Sequence, residues 1–108
     1  MVETTTVDGK LVATDKNGRK YTLRPLGPEN VFDILEAAGE QSTNRGLLAF
    51  MGPAFSVEAI DGVPVPMPKT LRDARALVVK LGAAGMEAVR AALEMDASAE
   101  VDEAAAKN

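Results

Sequence analysis

Hydrophobic and polar positions change period several times along the chain. Over residues 10–25, KLVATDKNGRKYTLRP, they alternate on either side of Asn17-Gly18, as in half-buried strands around a tight turn. With those two residues as the turn, Thr14 faces Tyr21, Ala13 faces Thr22 and Val12 faces Leu23. One face then carries Val12, Thr14, Tyr21 and Leu23, and the other carries Ala13 and Thr22 beside the opposite charges Asp15 and Lys20. Asp8-Gly9 turns an earlier strand, ETTTV, onto the same sheet.

The period then lengthens. In LGPENVFDILEAAGE, Pro28 suits the first helical position, Glu29 suits the positive end of the helix dipole and Gly39 marks a stop. Val31, Ile34, Leu35 and Ala38 recur at helical spacing and predict a buried stripe. STNRGLLAFMGP predicts a shorter helix, capped by Ser42 or Thr43, with Leu47, Leu48 and Met51 inward and Gly52-Pro53 as its end.

AFSVEAI, Asp61-Gly62 and VPVPM predict a second hairpin over residues 55–60 and 63–67. Ile60 and Val63 flank the turn as a hydrogen-bonded pair, so bonding alternates outward from them. Val63, Val65 and Met67 aim their N–H groups at the partner strand, and Pro64 and Pro66 fall where an N–H points away from it. The prolines therefore cost the hairpin no bond and block a further strand from adding at that edge. In this register Phe55, Val57 and Ala59 share a face with Pro64 and Pro66, while Ile60, Val63, Val65 and Met67 lie opposite. Both faces are apolar, which is more than one small core requires. The second face is either an association surface, extended by Met86 and Val89, or core covered by the helix that follows.

That helix opens on Thr70, with Asp73 three residues on as in a capping box, and carries Leu71, Ala74, Leu77, Val78 and Leu81 inward. Gly82 interrupts it, and a second helix follows with Met86, Val89 and Leu93. From Asp96 the sequence DASAEVDEAAAKN is acidic, rich in Ala and without a stripe. The expectation is an α+β fold: an N-terminal β-hairpin or meander, a helix, a second β-hairpin and a C-terminal helix pair. Residues 1–95 form a single globular domain, and residues 96–108 form a flexible tail.

Composition narrows the chemistry. The chain of 108 residues contains neither Cys nor His, which excludes disulfides and the usual zinc, haem, Ser-His and Cys-His constellations. A hydrophobic content of 46% with only 4% aromatic residues implies an aliphatic, Ala-rich core. The net charge of −4 argues against nonspecific nucleic-acid binding, and no apolar run is long enough to span a membrane. MVETTTVDGK lacks the basic start and apolar core of a signal peptide, so a cytoplasmic location is expected. Glu29, Asp33, Glu36 and Glu40 recur along the first helix and read as its solvated face, with a carboxylate metal site or an acid–base pair as the functional alternative. Arg72, Arg75, Lys80 and Arg90 read as ordinary solvent-facing charge beside Asp73 and Glu87, with a basic strip as the functional alternative. Met51, Met67, Met86 and Met95 read as adaptable core or contact residues. No cofactor, metal site or catalytic group is expected.

The motifs G…TLRP (Gly18 and residues 22–25), IDG.PVP.P.T (residues 60–70) and LG..G..AV (residues 81–89) resemble those of the small tail assembly chaperones of long-tailed phages and prophages. The resemblance spans about residues 18–93 and implies a noncatalytic protein of the host cytoplasm. Such a protein binds the hydrophobic tape measure protein, keeps it soluble until tail-tube subunits polymerise around it, and is absent from the mature virion. It also implies contact with the tail-tube protein, and a longer product made by ribosomal slippage near the end of the gene. Lys107-Asn108 can be encoded by a run of A that permits such slippage, but on residues alone it reads as an ordinary polar tail. Homo-oligomerisation and an adaptor or inhibitor role toward another protein are the further partner readings. A surface built from Ile60, Val63, Val65, Met67, Met86 and Val89 would serve any of them.

Overall fold

The computed structural model describes the backbone of residues 2–25 and 27–106, and side-chain environments through Asp96. Five antiparallel strands form one sheet in chain order: β1 (Glu3–Val7), β2 (Lys10–Thr14), β3 (Lys20–Leu23), β4 (Val57–Ile60) and β5 (Val63–Pro64). Helices α1 (Pro28–Ala38) and α2 (Arg45–Met51) lie between β3 and β4, and α3 (Leu71–Ala106) closes the chain. The α+β arrangement is the expected one. Unexpectedly, the two hairpins are not separate, because β3 pairs with β4. The Asp61 N–H donates to the Lys20 carbonyl at 2.8 Å, and the Lys20 N–H donates to Asp61 Oδ1 at 2.9 Å, which locks the second turn to the end of β3.

Two tight turns follow the sequence closely. Asp8 and Gly9 have φ of 53° and 79°, and Asp61 and Gly62 have φ of 49° and 83°, the paired positive angles that two-residue hairpins require. Between β2 and β3 the expected register is wrong by one residue: Ala13 pairs with Tyr21 and Thr14 with Lys20. The turn there is longer, running from Asp15 to Arg19, with the Gly18 N–H donating to the Asp15 carbonyl at 3.0 Å. Asp15 Oδ1 accepts from the N–H groups of Asn17 (2.8 Å) and Arg19 (3.0 Å), and so stabilises the longer turn. A one-residue slip exchanges the faces. Ala13, not Val12 or Thr14, therefore joins Tyr21 and Leu23 in the core.

One face of the sheet packs on α3. Ala13, Tyr21, Leu23, Val57 and Ile60 meet Leu77, Leu81, Met86, Val89 and Ala92 in a single cluster. Val57 and Ile60 are three apart, yet both point inward, because the β3–β4 register shifts at Glu58: Leu23 pairs with Val57 and Thr22 with Ala59. This bulge merges the two apolar hairpin faces expected from strict alternation into one. Phe55 and Ser56 leave the strand altogether and belong to a 3-10 turn over Gly52–Ser56; α2 stops at Met51 with Gly52 as its cap, as expected, and Gly52-Pro53 opens that turn. The cap of α2 is Asn44, whose Oδ1 accepts from the Leu47 N–H at 3.1 Å, in place of Ser42 or Thr43.

At the edge, the Val65 N–H donates to the Glu58 carbonyl at 2.8 Å, the side expected, with Pro64 and Pro66 exposed. Regular pairing is shorter than expected and ends at Pro64. Arg24 then holds the departing chain, its Nη2 donating to the carbonyls of Val57 (2.9 Å) and Val65 (3.0 Å). Replacing Gly62 by Val forces a β-branched residue to a φ of 83°. The expected loss is about 1–2 kcal/mol of stability, read from urea unfolding midpoints.

Thr70 caps α3 as expected, accepting the Asp73 N–H at 3.1 Å. Gly82, at φ 69° and ψ −179°, breaks α3 into arms over residues 71–81 and 83–106. The second arm continues past Asp96 as helical backbone to Ala106. The side chains of the tail read from the sequence, and Lys107-Asn108 entirely, lie outside the described residues.

Candidate functional site

The six residues expected to share a contact face are dispersed. Ile60, Met86 and Val89 are core residues, 6%, 5% and 0% exposed. Val65 is half-buried against the same cluster, and Met67 packs against a second one formed by Ala37, Ala38, Met51, Phe55 and Ala74. Val63 alone is open, at 62% exposure. The bulge at Glu58 and the cover of α3 account for the difference: Ile60, Met86 and Val89 are core, Val65 and Met67 pack at its margin, and Val63 stays in solvent.

Surplus apolar surface lies instead on α1. The expected stripe there is only partly buried: Ala37 and Ala38 reach the second cluster and Ile34 packs beside them. Val31, Phe32 and Leu35 stay exposed, Phe32 at 70%. These three lie one and four residues apart, on one continuous flank of the helix. Phe50 on α2 is exposed as well, above a shallow cleft of about 390 Å³ lined with Val78 and Met86. Periodicity marked α1 as amphipathic but did not register how wide its apolar arc is, because Phe32 falls outside the template positions. Counting all apolar residues of the helix, rather than those matching one stripe, would have found it.

The carboxylates of α1 form a row but no metal cage: among the described residues, no three acidic side chains converge. The exposed basic residues Arg72, Arg75, Lys80 and Arg90 stay on the solvent side of α3.

One buried polar pair stands out, at the break in α3. Tyr21 is fully buried and donates its hydroxyl to Asp15 Oδ2 at 2.7 Å. Arg19 lies 5.6 Å from the Tyr21 ring centroid and donates through Nη1 to the Lys80 carbonyl at 3.2 Å, satisfying an acceptor near the end of the first arm. Burial alone would raise the Asp15 pKa. Hydrogen bonds from Tyr21, Arg19 and Asn17, with the Arg19 charge, outweigh it and hold the carboxyl below the ordinary 3.8. Burial, then the bond to Asp15, pushes the Tyr21 hydroxyl from 10.0 up to about 12. This pair is structural: its polar atoms are turned on each other and on the turn.

The pH dependence follows in sign. Between pH 10 and about 12 an unfolded Tyr21 has lost its proton while the folded one keeps it, so stability falls as pH rises through that window. At the acid end, unfolded Asp15 takes up a proton near 3.8, before the folded carboxylate does, so its contribution disappears as pH falls below that value. Thermal melts between pH 9 and 12 should show the alkaline slope shrink in Tyr21→Phe.

The motif residues now have places. Leu23, Ile60, Leu81, Ala88 and Val89 are core, Gly18 and Gly62 are turn residues at positive φ, Thr70 is a cap, and Arg24 ties down the edge. They are framework positions. Among the described residues, no helix is long and apolar enough to cross a membrane. No family model, curated protein or solved structure matches the chain.

Proposed function

We propose that the chain is a noncatalytic tail assembly chaperone of the long-tailed phage type, which binds a tape measure protein and keeps it soluble during tail morphogenesis. The observation that carries this reading is the open apolar flank of α1. Val31 and Phe32 are more than half exposed and Leu35 more than a third, on a helix that fully buries only Ala37 and Ala38. A side chain as large as Phe32 left that open is what a protein that shields an apolar client requires. The motifs over about residues 18–93 supply the client's identity, and the compact acidic domain supplies solubility.

Co-expression with a tape measure protein tests it. The soluble fraction of that client should rise severalfold with the chain present. An adaptor or inhibitor aimed at another protein leaves the client's solubility unchanged, and that result rejects the reading.

A further inference from the structure

We infer that the α1 surface takes a cationic amphipathic helix: an apolar stripe laid on Val31, Phe32 and Leu35, with Lys or Arg along one border. The inference rests on the chaperone reading and specifies the part of the client that is gripped. Charge complementarity selects that partner. No Lys or Arg occurs between Pro25 and Asn44, whereas Glu29, Asp33, Glu36 and Glu40 all do. The other 12 acidic residues of the chain are matched by its 12 basic ones, so this segment carries the whole net charge of −4.

The carboxylates run beside the apolar flank, not away from it. Glu36 lies four residues after Phe32 and Glu29 three before it, so both are its neighbours on the helix surface. Among the described residues the one ion pair joins Lys10 to Glu58, and the α1 carboxylates have no cation in contact. Asp33 and Glu36 line a cleft of about 400 Å³ with Met67, Pro68 and Lys69; the last is the one cation in that lining, beyond ion-pair distance. An apolar strip with an unneutralised acidic border selects a partner with the inverse pattern. It also opposes self-pairing, since two copies meeting through α1 would set one carboxylate row against another.

The probe is a fluorescent designed helix of about 18 residues, past the length at which isolated helices are marginal, with Leu on one face and Lys on the other. A Leu/Glu helix of the same pattern is the control. The full chain should bind the Leu/Lys helix more tightly than the Leu/Glu helix, with affinity falling as salt rises. Phe32→Ser with Leu35→Ser should raise Kd about tenfold or more. Val63→Ser, exposed but elsewhere, should leave Kd unchanged. Equal binding of both helices, an unaltered Kd in the double variant, or a dimer that dissociates on Phe32→Ser each overturns the inference. If the double variant still solubilises the tape measure protein as well as the unaltered chain, the inference fails and the chaperone reading stands. If the unaltered chain binds the Leu/Lys helix but leaves the client insoluble, the chaperone reading fails and the assigned surface stands.

Discussion

Gly85→Ala is expected to destabilise the fold by about 2–4 kcal/mol, although the position is helical and Ala is the better helix former by about 1 kcal/mol. A Cβ at residue 85 would stand 2.7 Å from the Tyr21 hydroxyl oxygen, 3.0 Å from its Cζ and 3.1 Å from the Leu81 Cβ. None of these can retreat easily. Tyr21 is fully buried and fixed by its bond to Asp15, and Leu81 is 2% exposed. Moving Tyr21 would strip the Asp15 carboxylate of a buried donor, a loss of about 1.5–3 kcal/mol beyond the overpacking. For a domain of this size the expected drop in melting temperature is on the order of 10–25 °C. Tyr21→Phe removes the nearest clashing atom, so the Gly85→Ala penalty should shrink in that background; a double-mutant cycle measures the coupling. A stabilising Gly85→Ala, as propensity alone predicts, would refute this packing.

Gly82→Val should be nearly as damaging for a different reason. A Cβ at 82 meets nothing within 4 Å, so the first cost is conformational. The pair φ 69°, ψ −179° belongs to a region reserved almost entirely for glycine, and holding another residue there costs up to about 3 kcal/mol. The cheaper escape is to straighten α3, which would pull Met86, Val89 and Ala92 off the sheet. Melting temperature should therefore fall while far-UV circular dichroism reports equal or greater helicity. An unchanged melting temperature would mean that the break at 82 is not needed to fold the second arm onto the sheet.

These two glycines show what a single sequence makes legible. Gly82 was visible as an interruption, because one glycine in a helical stripe is a local signal. Gly85 was invisible as a requirement, because its partner, Tyr21, lies far away in the chain. The turns at Asp8-Gly9 and Asp61-Gly62, the outward prolines and the Thr70 cap were readable for the same local reason. The β2–β3 register was missed because Asn17-Gly18 is a strong two-residue signal. Asp15 and Gly18, three apart, are also the ends of a type I turn, and burial of Tyr21 with Asp15 decided between them. Of the two readings open for the Ile60 face, core beneath α3 is the one found, and Val57 joins it through the bulge at Glu58, which depends on β3 pairing with β4 across an intervening pair of helices. Parity counted back from the Asp61-Gly62 turn holds for Ala59 and Ile60 and fails beyond the bulge, at Val57, so the expected contact face could not be settled from alternation alone.

The surface that replaces it is open to a direct measurement. Hydrogen–deuterium exchange, read by mass spectrometry on the chain alone and bound to a tape measure protein, reports which amides the client covers or steadies. Added protection should concentrate in residues 28–38, with the exposed hairpin tip at Asp61–Val63 unchanged. Protection confined to β1 or to that hairpin, with α1 exchanging as in the free chain, would contradict it.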